Sequence, residues 1–295
     1  MANLCVLNIV WCLNFFAAAS PVVTTTTVAD AAVIPFKLDD NGAIVVPVRI
    51  NDAGPFLFLI DTGSSHSAIA DSLATDLRLP TVAKAAVVSA SGQSMRPVAQ
   101  LASTAVGAAV RGGLLASVLP SATLMNLGLG VQGVLGQDFL ATFDYTLDYR
   151  RRELSWGAEA LSEAPGARLP MTPDAGRFLV SLPQGSGRGV IRLVPDTGSA
   201  ALVIFDRVRG EPAGMLELLP ARGQARMSGV SGDRTVSRAV VRDLRVGDLV
   251  LHNEPAVIVN DREGGGTQAD GLLPLHGFAR VSFHAREQCL SIWPR

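Results

Sequence analysis

The sequence predicts an all-β chain folded as two similar lobes with a cleft between them. Three observations carry this. First, a four-residue phrase occurs twice: Asp61-Thr62-Gly63-Ser64 follows the apolar run Phe56-Leu57-Phe58-Leu59-Ile60, and Asp196-Thr197-Gly198-Ser199 follows Val190-Ile191-Arg192-Leu193-Val194-Pro195. The two aspartates are 135 positions apart (196 − 61), close to half of the 295 residues. Second, the frame around the phrase repeats. Ile34-Pro35 and Leu169-Pro170 each stand 27 positions before their aspartate (61 − 34 and 196 − 169), and the halves close on Leu154-Ser155-Trp156 and Leu290-Ser291-Ile292-Trp293. A constant offset at the start, middle and end of each half marks a duplication, which settles architecture before any local motif does. Third, 29 Gly and 17 Pro punctuate short apolar runs, and only one stretch has a helical period.

Taken in order, Ile34 to Leu38 is strand-like and Asp39-Asp40-Asn41-Gly42 a turn. Ala43 to Ile50 is a second strand, Asn51-Asp52-Ala53-Gly54-Pro55 a hairpin turn, and Phe56 to Ile60 the strand that delivers Asp61. Residues 67–79 form the one helix, with Leu73 and Leu77 on one face and Pro80 beyond. A polar hairpin tipped by Ser89-Ala90-Ser91-Gly92-Gln93 follows, then strands leading to Gly133-Val134-Leu135-Gly136. The second half repeats the plan: a strand from Arg177 to Leu182, a Gly-rich turn at 184–189, a strand from Val190 to Val194, a hairpin tipped by Ser228-Gly229-Val230-Ser231-Gly232-Asp233, and Gly271-Leu272-Leu273-Pro274. The expected division is an N-terminal lobe at 33–156, an inter-lobe linker at 157–167 and a C-terminal lobe at 168–295.

The composition, 48% apolar and 17% charged, suits a well-buried fold and argues against disorder. Net charge is −1 with no basic block, so nucleic acid is not an expected partner. Residues 4–19 are mostly apolar and end in Ala17-Ala18-Ala19-Ser20, the form of a signal-peptidase site, so residues 1–19 are expected to be an export leader and 20–32 a linker. Residues 1–20 hold no Lys or Arg. An uncleaved membrane tether and an N-terminal strand built into the fold are the rivals, although sixteen residues fall short of the roughly 20 that span a bilayer. Once the leader is cleaved, no stable membrane span is expected, and the location would be periplasmic or extracellular. Cys5 and Cys12 lie in the leader, leaving Cys289 alone in the mature chain, so stability must come from packing and not from an internal disulfide.

A strand that ends in a carboxylate and a tight Gly turn, present twice, is what a divided two-carboxylate site needs. Peptide hydrolysis without metal or covalent nucleophile requires one group to take a proton from water and another to polarise the carbonyl. Two carboxylates held close cannot both ionise cheaply, so they share one proton and titrate as a unit. The residues are similar to those of the aspartic proteases, a single chain carrying two retropepsin-like lobes in the pepsin arrangement. The resemblance covers nearly all of residues 34–293 and rests on the apolar strand before each Asp-Thr-Gly-Ser, the Gly-tipped hairpin and the later apolar-apolar-Gly run. It implies β-barrel-like lobes flanking an active-site cleft, Asp61 and Asp196 as catalytic pair, no cofactor, extended peptide or protein substrates, and a monomer. It assigns Thr62 and Thr197 to bracing the two loops across the lobe interface. Gly63 and Gly198 allow the tight turn, and Ser64 and Ser199 are expected to bond the neighbouring aspartates. The hairpins carrying Ser91, Gly92, Ser231 and Gly232 resemble flaps. The only tyrosines, Tyr145 and Tyr149, lie far along the first lobe, so the pepsin flap tyrosine is missing. The stretch between leader and first lobe is short for an inhibitory pro-segment, and an optimum on the acid side of neutral is expected.

The second lobe departs from the pattern at Pro195, directly before Asp196, and at Pro274, where the first lobe has Gly136. Pro cannot donate to a sheet ladder. These residues favour the rival reading, a catalytically weak or inactive bilobal peptide-binding or inhibitor protein. Gly128-Leu129-Gly130-Val131-Gln132-Gly133 spells a dinucleotide fingerprint, but no helical period follows it, so it reads as a loop. His66, His252, His276 and His284 lack ligand spacing, which makes a metal site improbable. His66 is expected at the surface, and Asp138 as a structural hydrogen-bonding group.

Overall fold

The computed structural model describes residues 3–5, 10–12, 26–28, 33–39, 41–89, 92–125, 127–157, 163–184, 189–206, 216–229, 232–260 and 267–295. Two lobes follow one strand path. In the first, the order across the sheet is Thr81–Ser89, Gly92–Val106, Ala109–Leu119, Ala68–Ala70, Gly133–Leu135, Ala53–Ile60, Ile44–Ile50 and Lys37–Leu38. In the second it is Leu218–Gly229, Gly232–Val246, Leu249–Asn260, Leu202–Asp206, Gly271–Pro274, Gly189–Asp196, Arg177–Gln184 and Ala167–Asp174. Position for position the two orders are the same, so the duplication read from spacing is a duplication of topology.

The lobes are joined by six antiparallel strands lying side by side: Val33–Pro35, Glu153–Trp156 and Tyr145–Asp148 from the first, then Arg280–His284, Cys289–Trp293 and Ala167–Asp174 from the second. At the seam Thr146 faces Ser282, their hydroxyl oxygens 2.7 Å apart, and Tyr145 stacks on Phe283 with ring centroids 4.8 Å apart. A pseudo-twofold axis therefore passes between Thr146 and Ser282. Both repeated tryptophans end strands of this layer. Trp156 is buried against Phe139, Phe143 and Tyr145, and its indole N–H donates to the Val106 carbonyl at 2.8 Å. Cys289 is buried in the same layer.

In each lobe a three- or four-residue apolar strand lies parallel to the aspartate strand. Val134 and Leu135 pair with Leu59 and Ile60, and Leu272 and Leu273 with Val194 and Pro195. Strands of this kind are buried on both faces, which is why they read as unbroken apolar runs and not as alternation.

Local details differ from the sequence reading. The expected five-residue hairpin turn is a two-residue one: Asn51 and Asp52 both take positive φ (48° and 64°), and the strand resumes at Ala53. Two such residues in succession match the twist of paired strands, and Asn and Asp tolerate them best. The helix is shorter, Asp71–Asp76, because Ala68–Ala70 is drawn into the sheet between Leu119 and Gly133. Within the stretch read as linker, Thr26–Val28 pairs with Ala109–Arg111. Within the stretch read as leader, Asn3–Cys5 and Val10–Cys12 pair with the two hairpins. Ser91 and Ser231, at the hairpin tips, lie outside the described residues. Gly92 pairs with Ser89 and Gly232 with Gly229. Among the described residues no helix is long and apolar enough to cross a membrane.

Candidate active site

The two Asp-Thr-Gly-Ser loops meet on the pseudo-twofold axis and are locked by a reciprocal set of bonds. The Thr62 amide donates to Thr197 Oγ1 at 3.0 Å, and the Thr197 amide donates to Thr62 Oγ1 at 3.0 Å. Each hydroxyl then donates across the seam, Thr62 to the Pro195 carbonyl at 2.8 Å and Thr197 to the Ile60 carbonyl at 2.6 Å. All four bonds are buried, so each amide and carbonyl would otherwise be stranded without water. Pro195 fits here because its carbonyl, the group it retains, is the one recruited.

This clasp brings the carboxyls together. A Cβ added at Gly63 would lie 2.5 Å from the Asp196 carboxyl carbon, and one added at Gly198 would lie 3.0 Å from that of Asp61. Any side chain at either position would displace a carboxyl, which is the physical reason for glycine in both copies. Asp61 and Asp196 are fully enclosed, and each carboxyl bears on the ionisation of the other.

Their surroundings are not symmetric. Asp61 Oδ1 accepts from the amides of Gly63 (2.9 Å) and Ser64 (3.0 Å), and its Oδ2 accepts from the Ser64 hydroxyl at 2.8 Å. Asp196 Oδ1 accepts only the Gly198 amide, at 2.7 Å, while Oδ2 is buried with no donor. Ser199, expected to serve Asp196, instead donates to the Ala201 carbonyl at 2.7 Å. Three donors stabilise charge on Asp61, and an oxygen with no donor is where a proton belongs. Burial raises Asp61 to about 6 against the pull of those donors. Burial, and then the charge of Asp61, push Asp196 well above the usual carboxylate range. These surroundings make Asp61 the more readily ionised carboxyl and Asp196 the one that holds its proton more tightly.

Each loop is braced from behind, by different chemistry. In the first lobe Gln137 donates its side-chain amide to the Thr62 carbonyl at 2.9 Å and its backbone amide to the Ser64 carbonyl at 2.8 Å. Asp138 accepts the Ser67 amide (2.9 Å) and hydroxyl (2.6 Å), and Ser67 Oγ accepts the Gly136 amide at 3.1 Å. Burial lifts the Asp138 carboxyl to about 6 despite the Ser67 bonds and the nearby Arg111. In the second lobe Leu202 and Pro274 replace Ser67 and Gly136, so that bond has neither donor nor acceptor. The Leu275 amide donates to the Asp196 carbonyl at 3.2 Å, and His276, where the first lobe has Asp138, bonds the backbone of Ser199. Pro274 therefore leaves Asp196 in place, through a substitution matched on both sides.

One residue of the site was not singled out by sequence. Arg177 is buried, and its positive charge draws the Asp196 carboxyl downward against the larger upward effect of burial. It opens the strand after the Ala175-Gly176 turn, whose glycine packs on Ser65 of the other lobe. The counterpart turn, at Gly42, packs on His276. A lone cation opening an otherwise apolar strand was the available signal for Arg177. His66 is partly buried and not at the surface as expected; burial lowers it to about 4, and its ring contacts Ser65 Oγ at 3.0 Å. No group of His, Cys, Asp or Glu suited to a metal occurs among the described residues.

The fold and paired loops define a two-lobed aspartic protease, and the comparisons agree. The aspartyl protease family model matches residues 46–139 and again 184–275, so the chain belongs to that family. The crystal structure of the aspartic proteinase from Irpex lacteus shares the fold, with a TM-score of 0.52 at 14% identity over 90% of this chain and 97% of that one. No curated protein sequence matches significantly.

Two outcomes follow from the loop contacts. Replacing Thr62 or Thr197 by Val keeps the shape but strands a buried carbonyl and a buried amide. Urea unfolding should show a loss of roughly 2–6 kcal/mol, and Ser at the same site should restore most of it. Asp138 holds its proton in the folded chain between pH 4 and about 6 while the unfolded chain has released it. Its contribution is present at low pH and lost as pH rises through that window. Asp138→Asn should therefore flatten the fall of unfolding free energy across pH 4–6 by up to about 1.4 kcal/mol per pH unit.

Proposed function

We propose that the chain is an endopeptidase that hydrolyses extended peptides by activating water between Asp61 and Asp196. The observation that carries this reading is the unequal hydrogen bonding of the two carboxyls. Asp61, with three donors, is the carboxylate that takes a proton from water. Asp196, with its bare Oδ2, is the acid that protonates the substrate carbonyl oxygen. Water oxygen adds to the carbonyl carbon to give a diol; as the C–N bond breaks, the proton gained by Asp61 passes to the leaving nitrogen and one diol hydroxyl returns its proton to Asp196. A single proton shared by two close carboxyls is the general arrangement of aspartic proteases. The rival, a bilobal binding protein, rests on Pro195 and Pro274, and both are accommodated around the dyad.

Asp61→Asn and Asp196→Asn should each reduce kcat by at least about 10³-fold on a mixed peptide library while the urea midpoint is kept or raised, since each removes a costly buried carboxyl. Because Asp61 is inactive when protonated, kcat/KM should rise with pH to half-maximum at or below about 6 and decline only at higher pH, as Asp196 loses its proton. The raised carboxyls move the profile upward from a strongly acid optimum. A folded protein with no cleavage sensitive to a statine-type inhibitor at any pH would overturn the peptidase reading. Export is proposed on the sequence alone, and the secreted chain should begin at Ser20 by mass spectrometry.

A further inference from the structure

A cavity of about 130 Å³ lies in the second lobe beside the loop that carries Asp196. Neither aspartate lines it, nor does any residue of the Asp-Thr-Gly turns or of the hairpin tips. Ala201, Pro274 and His276 supply the part of the wall that belongs to the loop and its braces, and Glu254 and Gly277 lie among the rest. Apart from Glu254 and His276 the lining is apolar.

The repeat shows where the space comes from. The turn joining Val106 to Ala109 matches the one joining Val246 to Leu249, and Ser117, paired with Ala68, matches Val257, paired with Val203. Both matches give an offset of 140 (246 − 106 and 257 − 117), which sets Glu254 in the place of Leu114 and Leu251 in the place of Arg111. Counted from Gly136 and Pro274, Gly277 stands in the place of Phe139. Leu114 and Phe139 are buried in one core cluster, where the short helix Gln137–Leu140 packs on the strand Ala109–Leu119. In the second lobe one of these two apolar side chains is gone and the other is a carboxyl. The chain from this point to the seam is also shorter, 8 positions from Pro274 to Ser282 (282 − 274) against 10 from Gly136 to Thr146 (146 − 136). Neighbours do not close the gap: a Cβ added at Gly277 meets no atom within 4 Å.

The chemistry of the lining selects an occupant. Glu254 is half-buried and has no hydrogen-bond or ion-pair partner among the described residues. Leu251 stands for Arg111, so the cation of the first lobe has no counterpart here to pair with it. A carboxylate drawn partly out of water and left unpaired is costly, and a cation that carries its own donors relieves that cost. His276 does not oppose one, since burial and then Arg295 lower its pKa and leave the ring neutral near pH 7. A cavity of about 150 Å³ holds benzene, so this one has room for an apolar group of roughly six heavy atoms. We propose that the cavity binds a small apolar ammonium, an aralkylamine or branched alkylamine, with its charge on Glu254 and its apolar body over Gly277. Such an occupant packs against the segment that fixes Asp196. Pro274 pairs with Asp196, His276 bonds the Ser199 backbone, and the Ala201 carbonyl accepts the Ser199 hydroxyl. Occupancy is therefore felt at the acid of the dyad without contact with substrate; the binding itself is independent of the peptidase reading, and only its effect on turnover rests on it.

The probe is benzylamine, titrated into the full chain near pH 7 and followed by amide chemical shifts. Saturable shifts at Ala201, Glu254 and Gly277 are expected by about 10 mM. Binding should be at least about tenfold weaker for benzyl alcohol, which has the same shape without the charge, and for benzylamine with Glu254→Gln. Gly277→Leu fills the space with carbon and should abolish the shifts, with a urea midpoint kept or raised to show that the variant is folded. Absence of saturable shifts at these residues in folded wild type overturns the site. Shifts that persist unchanged in Glu254→Gln place the amine elsewhere and overturn it too, even if Gly277→Leu does not fold. On a peptide that the wild type cleaves, saturating benzylamine should change kcat by at least about twofold, a response that Glu254→Gln weakens in step with binding. Shifts without any change in kcat overturn the link to Asp196, and a chain that cleaves nothing counts against the peptidase reading while the binding measurements still decide the site.

Discussion

Everything at the centre of this molecule depends on two threonine hydroxyls that each accept and donate across the lobe interface. A threonine side chain is short and branched, so its oxygen can face one backbone amide and one carbonyl only if both loops sit in a single relative position. No separate device is needed to set the carboxyls against one another. Their approach follows from the clasp, and the missing side chains at Gly63 and Gly198 leave room for it. The rest of the fold holds the clasp out of water, where four bonds of ordinary strength become costly to break.

Within this symmetric frame the two halves have diverged where symmetry would be a handicap. Two carboxyls in identical surroundings would have no fixed owner for their proton. Here Ser64 turns toward Asp61, whereas Ser199 turns away to Ala201. The buttresses differ too: a carboxyl at Asp138 holds Ser67, and an imidazole at His276 holds Ser199. Arg177 adds a buried positive charge on the side of Asp196. The difference between the loops is therefore built by groups one layer behind them, in positions that a repeat comparison treats as equivalent.

That layer is also where reading the sequence stops. The lobes, the repeat of one strand plan along each and the meeting of the two aspartates were legible because a constant spacing marks a duplication, and because each aspartate follows an apolar run. Ser199 was not legible, since a serine after glycine has the same spelling whichever way its hydroxyl rotates. Residues 68–70 read as helix from their apolar period, but the open edges of two neighbouring strands claimed them. Pro195 and Pro274 looked damaging in isolation. Only their partners, a hydroxyl seeking a carbonyl and a leucine in place of Ser67, show why they are tolerated. Pairing of N-terminal residues with hairpins more than seventy positions away leaves no local trace at all.

The seam at Thr146 and Ser282 has a consequence for how the chain can be divided. Half of the six-strand layer comes from each lobe, so separating the lobes would expose Tyr145–Asp148 as a bare ladder of amides and carbonyls. Because Thr146 sits on the axis, that edge is complementary to a second copy of itself in the same antiparallel register. An excised first half would thus associate with its twin, facing Thr146 with Thr146, before it persisted as a lone unit.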